Sequence, residues 1–310
     1  MSAEIESMFY VRTTPWHGLG IRVEEALTAE DALQKSGLDW EVQKRAVQTD
    51  QGQVIPGYQA NVRSTDQKVL GIVSDRYRIV QNREAFDFTN ALLGEGVRYE
   101  TAGSLFDSRK VWLLARLPEK YIISGDEISP YLVFSNAHDG TNAIKVAMTP
   151  VRVVCNNTLN LALSTAKRIW STKHTGDMDN KLEEAKSTLF MAQEYMIRLG
   201  EGIEELNRIR LRDQQVEELI RELIPIPIDA SETQEKNVMR IRKDLSMRYF
   251  YAPDLKNLNK NGYRFINAVS DFATHAKPLR ETRNYQENLF ARTMEGNTLI
   301  DEAYELVKIA

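Results

Sequence analysis

Hydrophobic and polar residues alternate through much of the first half of the chain. Trp40 to Gln48 (WEVQKRAVQ) and Tyr58 to Arg63 switch sides residue by residue, and Val69 to Ser74 is a compact β-type run. A period of two places every second side chain on one face, so these segments are predicted strands. Tyr99 to Phe106 and Val111 to Leu117 flank the turn DSRK, which is a hairpin signal. A second hairpin runs through YLVFSNAHDGTNAIKVAM, turned at His138–Asp139–Gly140–Thr141, where Asp-Gly is a favoured turn pair. Two short helices interrupt the strands. TAEDALQKSG has a Thr cap and a Gly stop, and NREAFDFTNALLG is capped by Asn82 and closed by Gly94.

The pattern changes after Cys155. Asn156 or Asn157 can cap a helix reaching about Lys167, and Arg168 to His174 reads as one more strand. From Met178 to about Leu223 apolar residues recur at three- and four-residue spacing: Leu182, Ala185, Leu189, Ala192, Met196, Leu199, Ile203, Leu206 and Ile209. At about 1.5 Å per residue such a helix spans roughly 45 Å or more, so it crosses between domains or packs on another subunit. Gly200 and Gly202 mark a break in it. IPIPID, from Ile224 to Asp229, is a linker, because neither proline can continue a helix. Helices are expected over Ser231 to about Phe250, Gly262 to about His275, and Asn284 to Ile309. The expected fold class is α+β. Residues 1–176 form a core domain of antiparallel hairpins with a few helices, 177–223 a long connecting helix, and 224–310 a small all-helical C-terminal region.

Composition narrows the function classes. The 310 residues are 42% hydrophobic and 27% charged, inside the globular range. No apolar run approaches the roughly 18 residues of a membrane span. The opening MSAEIESMFY carries acids where a secretory signal carries Lys or Arg, so a soluble, intracellular protein is expected. One cysteine excludes an internal disulfide and a cysteine-based zinc site, and four histidines give a multi-histidine metal centre few ways to form. No cofactor is implied: neither a P-loop nor a dinucleotide fingerprint is present. A net charge of −4 lowers the prospect of a protein that coats nucleic acid, without excluding a local basic groove.

Several residue groups carry candidate chemistry. His138 and Asp139 form an acid–base or metal-donor pair in one interpretation, and ordinary turn material in another. Cys155 precedes a helix start, where a thiol is activated, yet a lone Cys after Val153–Val154 also reads as a small buried hydrophobe. Arg152, with Asn156, Asn157 and Thr158, composes a phosphate seat at a helix N-terminus in one interpretation; in the other the two asparagines only cap the helix and Arg152 is a solvated strand residue. The segment SDRYRIVQNR holds Arg76, Tyr77, Arg78 and Arg83, an Arg–aromatic interleaving suited to single-stranded nucleic acid. The competing interpretation sets Arg76 and Arg78 on a solvated face with Tyr77 inward. Lys44–Arg45, Arg109–Lys110 and Lys167–Arg168 extend a basic stripe if they share a face. Trp16–His17–Gly18–Leu19–Gly20 lets the backbone pass close to a ligand or tucks Trp16 into the core.

The order PWHGLG, SDRYRIVQN, SNAHDGTNA and TPVRVVCNNTL, followed by GYRFINAVSDFATH, resembles a family of phage- and plasmid-encoded proteins defined by a domain of unknown function (DUF932-like). The resemblance runs over nearly the whole chain. It implies a mobile-element setting, which raises DNA replication, recombination and host-defence roles, and it carries over no catalytic residue. The leading expectation is therefore a DNA-metabolism protein that binds single-stranded DNA, of the strand-annealing kind, with homo-oligomers built on the long helix. A protein acting on a host factor is the alternative, favoured if Glu183, Glu184, Glu201, Glu204 and Glu205 gather on one free face. A hydrolase or nuclease using His138, Asp139 and Cys155 is the second alternative, and the absence of a recognised catalytic spacing weighs against it.

Overall fold

The computed structural model describes residues 5–11, 20–94, 97–117, 121–123, 125–152, 157–158, 169–279 and 297–310. The fold is α+β, with strands in the first half and helices in the second. The chain divides into two compact units, one of residues 1–118, 130–148 and 168–192, the other of 119–129, 149–167 and 193–310.

The first unit holds two sheets. In the larger, the strand order is β10 (Ile144–Arg152), β9 (Asp126–Ala137), β7 (Lys110–Arg116), β6 (Arg98–Leu105), β1 (Ile5–Val11) and β2 (Ile21–Val23). Here β12 (Ile169–Thr172) pairs antiparallel with the first residues of β10, and β1 pairs parallel with β2. The smaller sheet is an antiparallel meander of β3 (Val42–Gln48), β4 (Val54–Arg63) and β5 (Val69–Ser74). Helices α1 (Ala29–Lys35) and α2 (Asn82–Leu93) pack on each other, with α1 against β6 and α2 against β7. Phe9, Leu33, Leu70, Phe86, Tyr99, Leu113 and Phe134 are buried in one core there. Each such side chain contributes about 1.5–3 kcal/mol through its removal from water.

The predicted hairpins and caps follow the local chemistry with one exchange of roles. Thr28 Oγ1 accepts from Asp31 N at the start of α1, and Gly94, at φ 84°, closes α2. The cap of α2 is Gln81 rather than Asn82. Glu84 reaches back to the Gln81 N–H at 2.7 Å, which satisfies a free donor of the first turn. The Gln81 amide meanwhile pairs both backbone groups of Val42, at 2.8 and 2.9 Å, fastening β3 to the helix start. The β6–β7 turn places Phe106, Asp107 and Ser108 in the left-handed region at φ 55°, 58° and 64°. Such residues cost about 1–2 kcal/mol each. The turn is pinned by the Ser108 hydroxyl, which donates to Glu6 at 2.6 Å and accepts from Arg63 at 2.8 Å.

In the second unit β8 (Tyr121–Ile123) pairs with the first residues of β9, and β11 (Asn157–Thr158) with the last of β10. The single helix expected from Met178 to Leu223 is two: α3 (Met178–Arg208) and α4 (Asp213–Leu223). The break falls at 209–212, not at the glycines. There Leu211 N donates to Lys260 O and Gly262 N to Ile209 O, so a backbone pairing replaces helical bonds. Gly200 and Gly202 stay helical, and a Cβ at Gly202 would stand 3.0 Å from the Tyr304 hydroxyl. Helices α5 (Glu232–Tyr251), α6 (Gly262–His275) and α7 (Thr298–Ile309) follow among the described residues. Residues 262–270 of α6 are buried on every side, as expected of a helix at the centre of a bundle. Within it Arg264 donates to the carbonyls of Tyr249, Phe250 and Leu258, capping the last turn of α5.

Candidate nucleic-acid interface

Register assigns each residue of the meander β3–β4–β5 to one of two faces, and Val62, on the outward one, is still buried. The row Lys44–Asn61–Gly71 faces inward. Asn61 is fully buried and donates to the His138 carbonyl at 2.6 Å. Gly71 passes so close to the 138–140 turn that a Cβ there would lie 2.5 Å from Asp139 Cα. The next row, Arg45–Ala60–Ile72, therefore faces outward, and Tyr58, two residues from Ala60 and opposite Ser74, shares that face. Tyr58 is 54% exposed and Ile72 60%, with Val69 at 57% where β5 begins. An exposed ring and branched aliphatics are gathered on one sheet face, with the exposed Arg45 in the same row.

Behind the inward face lies a polar cluster. His138, with no solvent exposure, shares a 3.0 Å bond between its Nε2 and Asn82 Oδ1. The Asn82 amide nitrogen donates to Leu38 O, so its oxygen faces the ring and Nε2 carries the proton. Two residues back along β9, Asn136 donates to Val80 O at 3.1 Å. The Tyr77 hydroxyl donates to Ala137 O at 2.6 Å, and its ring stacks on His174 at 4.4 Å. His174 Nδ1 donates to the Arg78 carbonyl at 3.1 Å. Burial pulls the His138 imidazole down to about 3, with the charge of His174 adding to it. His174 falls to about 4, again chiefly by burial. Both rings are neutral near pH 7 and serve the packing.

The structure separates the residues that sequence grouped. Asp139 accepts from the Thr141 backbone and hydroxyl, the turn chemistry its position predicts. Beside it His138 has no exposed atom through which to meet a substrate. Arg76 and Arg78 are exposed but follow the end of β5 instead of lying in a strand, and Tyr77 between them is buried. Tyr77 is thus an anchor, and the exposed ring is Tyr58. Arg83 forms an ion pair with Glu30 at 2.7 Å. Arg152 and Asn157 are paired across β10 and β11. Cys155, Asn156 and Trp16–Leu19, with Lys167–Arg168, lie outside the described residues, as does the helix expected after Asn157 beyond Thr158. Arg109 is exposed and Lys110 buried. Glu201 and Glu204 meet Arg198 and Arg208 of their own helix. Among the described residues no three His, Cys, Asp or Glu side chains gather as metal ligands, and no helix is long and apolar enough to cross a membrane. Tyr58 carried a signal, the alternation from Tyr58 to Arg63.

An α+β protein with a strand-built first unit and a helical remainder is the class these elements define. Residues 69–294 match the family model described as "Domain of unknown function (DUF932)", and the chain belongs to that family. No curated protein and no solved structure matches it.

Proposed function

We propose that this protein binds single-stranded DNA through the open face of the β3–β4–β5 sheet, as a phage- or plasmid-borne DNA-metabolism protein of the strand-annealing kind. The observation that carries the reading is the outward row Arg45–Ala60–Ile72 with the exposed Tyr58 beside it. Bases stack on the Tyr58 ring and against Ile72, while the Arg45 guanidinium takes a phosphate. Sequence-tolerant stacking of this sort contributes about 1–3 kcal/mol per base. Annealing needs several such surfaces along one strand, which a homo-oligomer supplies. The site would act in the cytoplasm of a bacterial host.

Fluorescence anisotropy with a labelled single-stranded oligonucleotide, at several salt concentrations and against duplex competitor, tests this. Tyr58→Ala is expected to weaken binding about fivefold to a hundredfold at unchanged fold stability, following the ~1–3 kcal/mol of one stacked base. Arg45→Gln is expected to flatten the salt dependence by roughly 0.7 in the log–log slope, the amount for one lost phosphate contact. Absence of binding by the wild type even at low salt refutes the reading. It would move attention to a host protein docking on the same apolar face.

A further inference from the structure

A second cationic feature of the first unit lies away from the open sheet face. The segment 75–81 has no strand or helix beyond a turn, yet its backbone is fastened on both sides of Arg78. The Arg78 N–H donates to His174 O at 2.7 Å, and the Arg78 carbonyl accepts from His174 Nδ1 at 3.1 Å. Tyr77, stacked on His174 and hydrogen-bonded to Ala137 O, locks the turn from inside. So held, the exposed Arg78 side chain reaches back to the carbonyl of Gly176 at 3.5 Å. From α3 the Lys181 ammonium donates to the carbonyls of Lys173, at 2.5 Å, and Thr175. Both cationic heads thus close on one four-residue segment, 173–176.

A carboxylate whose charge acts on Lys181 is that of Glu184. Among the described residues neither Arg78 nor Lys181 makes an ion pair, and the exposed Arg76 makes none either. The proton affinity of Lys181 is lowered first by burial, then raised by the charge of Glu184 and lowered, to a smaller extent, by that of Arg78. Lys181 also sits in the first turn of α3, where the helix dipole disfavours a cation. Like charges held together by backbone carbonyls, at a helix end that repels them, are stabilised by an anion between them. Donors remain for one. Lys181 uses two of its three N–H groups on carbonyls, and Arg78 uses one of five.

We propose that Arg78 and Lys181 form a phosphate-binding site whose ligand is a phosphodiester of a single-stranded nucleic acid; the identity of that ligand rests on the function proposed above. His174 and Tyr77 are its positioning residues, since they fix the backbone that carries Arg78.

Two probes separate the site from that function. Inorganic pyrophosphate is titrated into the full chain by calorimetry, with Arg78→Gln and Lys181→Gln as variants that keep an amide donor for the loop carbonyls. Saturable binding by the wild type, weakened at least tenfold in each variant, is expected. No saturable binding, or equal binding by the variants, overturns the site. The same proteins are then titrated with the labelled oligonucleotide, where loss of the site lowers the salt slope by roughly 0.7 per lost phosphate contact. Oligonucleotide binding with an unchanged slope in both variants sinks the site and leaves the function standing. Pyrophosphate binding that depends on Arg78 and Lys181, without oligonucleotide binding, keeps the site and sinks the single-strand reading.

Discussion

His138 and His174 show what single side chains contribute to this molecule. Each has a ring held neutral by burial, at about 3 and about 4 against an ordinary value near 6.5. In the unfolded chain both take up protons as the pH falls below about 6.5, while the folded state refuses them. The stability they support is full above that value and is lost as the pH falls toward their folded values. Between about pH 6.5 and pH 5 the loss is roughly 2 kcal/mol per histidine, at about 1.4 kcal/mol per pH unit. Urea unfolding near pH 7 and near pH 5 should show this drop, and His174→Gln should reduce it by about half. A variant as acid-sensitive as the wild type would contradict the assignment. None of this was legible in the sequence. His138 in a His-Asp-Gly turn reads equally as turn or as chemistry. Its partners Trp40, Asn61 and Asn82 come from distant segments that only the fold brings together.

At the scale of elements, alternation did the most. The strands β3, β4 and β5, the two hairpins, and both early helices lie where period-two and capping signals placed them. Alternation pairs Tyr58 with Ala60 and sets both against Asn61, but it does not say which face is covered. Here the covered face carries a polar Asn61 and a bare Gly71 between the buried Val42 and Val73, because the 138–140 turn supplies a carbonyl and presses close. Gly71→Ala sets a methyl against the backbone of Asp139, which cannot rotate away. It is expected to cost at least about 1–3 kcal/mol, as overpacking does, measured as a shift in the urea midpoint. An unchanged midpoint would show that the meander can move off the turn. The long helical run misled for a related reason. Its periodicity continues through Ile209, and the break comes from pairing with residues 260–262, some fifty positions onward.

For the molecule as a whole, the family and the α+β class were readable from motifs and element order, whereas the proposed interface was not. A net charge of −4 hides local basic sites, since Arg45 and the Arg78–Lys181 pair are few against 44 acids. The central claim is that single-stranded DNA contacts the open face of the meander. Hydrogen–deuterium exchange, followed by mass spectrometry with and without a saturating oligonucleotide, tests it most directly. The account predicts new protection in peptides covering residues 43–46, 57–60 and 71–78, and none in the buried helical residues 262–270. Protection confined to other segments, or none at a concentration that saturates binding, would contradict it.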